Sequence, residues 1–208
     1  MTSSFHALAR CVRDDLAQRK RYAHSIRVAR LAASLARAHG DDAERARVTG
    51  VLHDLARLYS VNDLLFQCDA RSMPIDAFER RHPVVLHARL GAELARERYG
   101  IEDELILNAI RRHTLGDAHM TRLDVLLYLA DGLEPGRHFT DRASILREAY
   151  RNLSDGMRRL LAATMSYQTQ RGLEVAPATL AAAARFNAPG VRSGDGKEGP
   201  MEDRLCPT

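Results

Sequence analysis

The sequence predicts an all-α protein. Apolar residues recur at spacings of three and four along nearly the whole chain, no segment alternates with the period of two that marks a half-buried strand, and helix-start and helix-stop residues fall between the runs. A first helix is expected over residues 5–19. A second is expected over 22–39, with Ile26, Val28, Ala29, Ala32, Leu35 and Ala36 facing inward and Gly40 just past its end. Asp41 or Asp42 caps a third helix, which carries Val48, Val51, Leu52 and Leu55 to about residue 59 and so contains His53 and Asp54. Ser60 caps a short fourth helix to about residue 66. Residues 69–81, with Met73-Pro74 and little periodicity, read as a loop. Pro83 suits the first position of a helix that stops at Gly100, and residues 103–114 form another, ended by Gly116. Thr121 and Asp124 make a capping box for the run 123–133, which Pro135-Gly136 terminates. Helices over 142–152, 154–171 and 177–186 complete a single domain spanning 1–187. From Ala188 onward Pro, Gly, Ser and charges dominate, which predicts a disordered tail over 188–208.

Composition narrows the class. With 208 residues, 45% of them hydrophobic, the chain can build one sizeable core. No apolar run approaches the ~18 residues that would span a bilayer, and Asp14 and Asp15 sit where a signal peptide needs an apolar stretch, so a cytoplasmic protein is expected. Cys11, Cys68 and Cys206 are odd in number and form no C-x-x-C pair, which reads as reduced and incidental. The net charge is +4, but the basic residues are spread over helix faces and no basic stretch is interleaved with aromatics, so neither nucleic acid nor membrane is expected as a partner. A small polyanion accounts for a local basic pocket.

The chemistry lies in histidines and carboxylates. His53 and Asp54 are adjacent, and with His24 upstream and Asp131 downstream they make an all-N/O ligand set of the kind that suits iron, manganese, cobalt or zinc. His24 shares a helix face with Arg27, which brings a guanidinium beside the site. Asp54, among Val51, Leu52 and Leu55, and Asp131, after the run 125–130, are costly in such apolar settings unless a cation meets them. His87 and His113 lie between these anchors. Of His82 and His87, the second is favoured, because His82 precedes Pro83 while His87 is inside the helix on the face of Gly91. Thr114, beside His113, is placed to hydrogen-bond a phosphate. If all six ligands converge, the site holds two metals and is suited to attack on phosphorus.

Five segments in order carry a family resemblance: His24-Ser25-Ile26-Arg27-Val28-Ala29, residues 50–57 around His53-Asp54, residues 86–92 around His87, residues 108–114 ending in His113-Thr114, and residues 129–137 with Asp131 and Glu134-Pro135-Gly136-Arg137. Together they resemble the HD phosphohydrolase superfamily, and more narrowly its bacterial symmetrical bis(5′-nucleosyl)-tetraphosphatases. The resemblance implies an HD-domain helical fold around a dinuclear, most often di-iron, centre, with manganese or cobalt as substitutes. It implies His24, His53, Asp54 and Asp131 on one metal and His87, His113 and bridging Asp54 on the other. It also implies Asp54, Arg27 and Arg137 as catalytic residues, Arg27, His113, Thr114, Gly116 and Arg137 as substrate contacts, and a dinucleoside polyphosphate as substrate, cleaved to two ADP by a metal-bridging hydroxide. The chain departs from the family pattern at Gly132, where Tyr is usual, at Arg57, where Lys is common, and in the segment 116–120. Two alternatives stand beside this reading: an HD phosphohydrolase acting on another nucleotide or alarmone, and a non-catalytic nucleotide-binding module. The oligomeric state is left open, a homodimer included.

Overall fold

A computed structural model of the chain describes residues 2–187, with side chains from residue 5, and the expected tail over 188–208 lies outside the described residues. Its elements, in order, are α1 (Thr2–Leu16), α2 (Arg19–Ala38), α3 (Ala43–Leu52), α4 (Val61–Ala70), α5 (Ala77–Arg81), a 3-10 turn (Pro83–Val85), α6 (Leu86–Tyr99), α7 (Glu104–Arg112), α8 (Arg122–Leu133), α9 (Arg142–Arg151), α10 (Leu153–Gln170) and α11 (Pro177–Asn187). No strand occurs among the described residues. None of these helices is long and apolar enough to cross a membrane.

α8 organises the bundle. Every residue from Leu123 to Ala130 is buried, as expected of a helix apolar on all sides, and α2, α3, α7, α9 and α10 all pack against it. Its burial is interrupted at Asp131 and Gly132, which open onto a cavity. α2 and α3 approach each other closely through Gly50: a Cβ there would stand 2.6 Å from Ala29 Cα. The largest fully buried side chains include Leu35, Leu52, Leu90, Leu107, Leu126 and Leu129, drawn from α2, α3, α6, α7 and α8.

Local signals account for most helix ends. Asp42 accepts from the backbone N–H groups of Glu44 and Arg45 at the start of α3, and Thr121 and Asp124 form the expected box at the start of α8. α2 ends as expected at Gly40: the Asp41 N–H donates to Ala36 O at 2.8 Å.

The structure corrects two expectations. The third helix stops at Leu52, seven residues before the expected end at 59, and tighter i to i+3 bonds carry the chain through 53–59, as in Arg57 N–H to Asp54 O at 3.0 Å. Apolar spacing continued through that stretch because Leu55 and Ala56 are buried in the turn as well. The expected loop over 69–81 contains the short helix α5, opened by a capping box of Asp76 and Glu79.

Candidate metal centre

All six predicted ligands meet at one place, delivered by five elements. His24 comes from α2, the His53-Asp54 pair from the turn after α3, His87 from the first turn of α6, His113 from the end of α7 and Asp131 from the last turn of α8. His53 and Asp54 open the turn that follows Leu52, and both side chains are buried there, with His53 Nε2 3.4 Å from Asp54 Oδ2. All four histidines and Asp54 are buried, whereas Asp131 is half-buried at the cavity edge.

The four imidazoles are held in the same way. Each Nδ1 faces an acceptor: Glu134 Oε1 for His24 (3.1 Å), Gly50 O for His53 (2.8 Å), Val84 O for His87 (2.5 Å) and Ile110 O for His113 (2.8 Å). Each Nδ1 therefore carries a proton and donates it, which leaves Nε2 as the atom that each ring turns toward the others. His24 Nε2 lies 3.1 Å from Asp131 Oδ1 and 3.6 Å from Asp54 Oδ2, and His53 Nε2 lies 3.4 Å from Asp54 Oδ2. On the other side, His87 and His113 Nε2 lie 3.5 and 3.8 Å from Asp54 Oδ1 and 3.2 Å from each other. One oxygen of Asp54 thus faces each histidine pair.

These contacts fit a metal better than they fit hydrogen bonds. Donor atoms around a cation with bonds of about 2.0–2.2 Å stand about 3.0–3.6 Å apart, which is the spacing seen here. The buried Nε2 atoms of His24 and His53 make no well-formed hydrogen bond, and the paired lone pairs of His87 and His113 repel unless something positive lies between them. The donor atoms of His24, His53 and Asp131 fall within 4.8 Å of one another, as do those of His53, Asp54 and His113. The residues fit bound divalent metal.

Charge within the cluster follows from the same geometry. Burial pushes the Asp54 carboxyl up, but the His53 imidazole beside it holds it well below the usual carboxylate range, so it stays ionised. Burial likewise opposes ionisation of Asp131, but the positive groups around it, Arg137 on its Oδ1 among them, hold its carboxyl below the usual range. Burial lowers His113 to about 3 and also lowers His87, which keeps both imidazoles neutral. For His53 burial is outweighed by Asp54 and the pKa rises to about 9. A cation entering at neutral pH must displace that proton, so Mn²⁺ affinity is expected to rise about tenfold per pH unit between pH 6 and 8. Chelator competition at three pH values checks this, and a flat profile contradicts it.

Around the ligands lies a cavity of about 780 Å³. Arg21, Arg57 and Arg137 line it beside Asp54, His87, His113, Thr114 and Asp131, and Leu160, Ala163, Phe139 and Tyr167 form an apolar wall. Arg137 is bonded to Asp131 Oδ1 at 2.6 Å, so Asp131 has a cationic partner that its apolar run in the sequence did not suggest. Thr114 Oγ1 lies 3.1 Å from His113 Nε2. His82 is elsewhere, bonded to Glu174 at 3.0 Å, which leaves the choice between it and His87 in favour of His87.

Two predicted substrate contacts do not line the cavity. Arg27 turns to Glu134, and Gly116 is buried with Ala182 of α11 next to it. Two charged residues beside the ligands were not anticipated from sequence. Arg21 donates to Asp54 Oδ2 at 2.8 Å, and the buried Glu134 accepts from His24. The sequence signal for Glu134 was its place in the Glu134-Pro135-Gly136-Arg137 segment that carries the family resemblance, which assigned it no contact. Gly132, the departure from the usual Tyr, faces Leu160: a Cβ at 132 would stand 2.7 Å from Leu160 Cδ2, so the side chain of α10 fills that space.

Comparison with known proteins agrees with this geometry. The HD domain family model matches residues 21–136, more than half of the chain. The symmetrical bis(5′-nucleosyl)-tetraphosphatase of Bacillus subtilis (strain 168) is 31% identical over 81% of this chain and 90% of its own length. The Halalkalibacterium halodurans protein of the same name is 32% identical over 77% and 86%. A crystal structure from Clostridium acetobutylicum, described as a predicted HD superfamily hydrolase involved in NAD metabolism, superposes with a TM-score of 0.83 at 28% identity, covering 88% of this chain and 96% of that one. With its His-Asp pair at the centre of a converging His/Asp cluster, the chain belongs to the HD domain family of metal-dependent phosphohydrolases.

Proposed function

We propose that the protein hydrolyses diadenosine tetraphosphate symmetrically, adding water across the central phosphoanhydride bridge to release two ADP. The observation that carries the reading is the division of Asp54, one carboxylate oxygen toward His24 and His53 and the other toward His87 and His113, inside a cavity that also presents three arginines. Relatives over most of the chain bearing that activity in their names support the substrate.

In this reading His24, His53, Asp54 and Asp131 hold one divalent metal, and His87, His113 and Asp54 hold a second, with iron as the natural occupant and manganese or cobalt as substitutes. When bound, the metals supply Lewis acidity and an activated water at neutral pH. The residues of the chain do the rest. Arg137, Arg21 and Arg57 face the cavity and offer fixed positive charge to phosphate oxygens, where guanidinium forks match in geometry and charge. Thr114 adds a hydroxyl beside His113. The departing ADP is a stabilised anion, so no strong general acid is required of the site.

Phe139 and Tyr167, 39% and 56% exposed on the cavity wall, give the adenine rings aromatic faces on which to stack. Base–aromatic stacking contributes about 1–3 kcal/mol per base. Phe139→Ala with Tyr167→Ala is therefore expected to raise KM for diadenosine tetraphosphate by about tenfold or more. Hydrolysis of inorganic tripolyphosphate, which has no base to stack, should be unaffected. A parallel loss on both compounds contradicts the stacking role.

Chromatography of the products tests the function itself. ADP as the sole product of diadenosine tetraphosphate is the expected result. AMP plus ATP, or no turnover with ferrous iron or manganese supplied, overturns the reading. The likeness to bacterial tetraphosphatases supports a cytoplasmic enzyme acting on a small dinucleotide.

A further inference from the structure

The geometry points to Glu134 and Arg27 as a positioning pair for the metal ligand His24, with Arg27 acting through Glu134 and not on substrate phosphate. The inference rests on the reading of the metal centre and is independent of which phosphoanhydride the enzyme cleaves.

Glu134 follows the last residue of α8 and is 2% exposed. A carboxylate that deep needs partners for both oxygens, and it has four. Oε1 accepts from His24 Nδ1 at 3.1 Å and from Arg27 at 3.2 Å. Oε2 accepts from the Gly136 N–H at 2.6 Å and from Arg27 Nε. Gly136 is required for this closure. A Cβ there would meet the Arg27 guanidinium at 2.6 Å and Glu134 Oε1 at 2.8 Å. Arg27, about a third exposed, reaches inward to make this pair and takes no part in lining the cavity.

The arrangement does for His24 what backbone carbonyls do for His53, His87 and His113. Glu134 keeps the proton on Nδ1 and the Nε2 lone pair aimed at the centre. Arg27 keeps Glu134 ionised and orients it. Glutamine cannot reproduce this. Arg27 Nε and the Gly136 N–H both donate toward the Oε2 position, so the amide oxygen must sit there and the NH₂ group faces His24. That forces the histidine proton onto Nε2, the atom that should bind metal.

The test is Mn²⁺ affinity by chelator competition, in the absence of nucleotide, for wild type, Glu134→Gln, Arg27→Met and the double variant. Glu134→Gln is expected to weaken one of two sites by about 10–100-fold, with Arg27→Met weakening the same site by a smaller factor. The double variant should be no weaker than Glu134→Gln alone, because both act on one bond. If Glu134→Gln fails to fold, Arg27→Met decides the matter, since that side chain is partly exposed and its loss leaves the core intact. Unchanged Mn²⁺ affinity in Arg27→Met, with a raised KM for diadenosine tetraphosphate at saturating metal, overturns the inference and returns Arg27 to the substrate.

Discussion

Asp54→Asn is expected to lower turnover by about 10³-fold or more, a larger effect than any other single change to the cluster. Asp54 is the one ligand whose two oxygens address both histidine pairs, at 3.4 and 3.6 Å on one side and 3.5 and 3.8 Å on the other. Asparagine keeps the shape but offers one oxygen and an NH₂ group, and the NH₂ must point at one pair of Nε2 atoms. One metal position is then lined by donors where it needs acceptors. His87→Ala, by contrast, removes one ligand from one position only. Steady-state kinetics with saturating Mn²⁺, alongside a thermal melt to confirm folding, checks the expectation. Turnover within tenfold of wild type in a folded Asp54→Asn protein contradicts it.

Gly50→Ala is expected to destabilise the protein by about 2–4 kcal/mol, although alanine is the better helix former by about 1 kcal/mol. The added Cβ would lie 2.6 Å from Ala29 Cα and 2.8 Å from Ala29 N, and backbone cannot rotate away as a side chain can. α2 and α3 must separate. Two features of the site depend on that contact: Gly50 O accepts from His53 Nδ1, and the His24 and His53 rings, on the two elements, sit 5.3 Å apart. The melting temperature should therefore fall by about 4–16 °C, with metal affinity falling in parallel. A variant as stable as wild type shows that the helices have room to spare, and the account of α2–α3 packing is then wrong.

The candidate ligands were legible in the sequence because the two carboxylates broke a local rule and the histidines stood in ordered segments beside them. Asp54 and Asp131 are charges set in apolar runs, and His87 lies on the Gly91 face inside a helix, so each required a partner from elsewhere in the chain. The helix ends were legible where capping chemistry is local, as at Asp42, Thr121 and Gly40. The end of α3 was not. Leu55 and Ala56 continue the apolar spacing past Leu52, and periodicity cannot distinguish a buried 3-10 turn from one more turn of α-helix. The contacts of Arg21 and Glu134 were not legible for another reason: both are charged residues at helix ends, where surface placement is the rule, and only tertiary packing turns them to Asp54 and His24. Gly132 in the sequence raised the question of a missing Tyr. Its answer lies 28 residues further on, in the Leu160 side chain that occupies the space.

The central claim, that the six ligands form one site for two metals divided by Asp54, is tested most directly by counting. Protein purified anaerobically, loaded with ferrous iron or Mn²⁺ and desalted, should carry two metal ions per chain by elemental analysis, and His113→Ala should carry one. A wild-type ratio of one, or a His113→Ala variant that still holds two, contradicts the account.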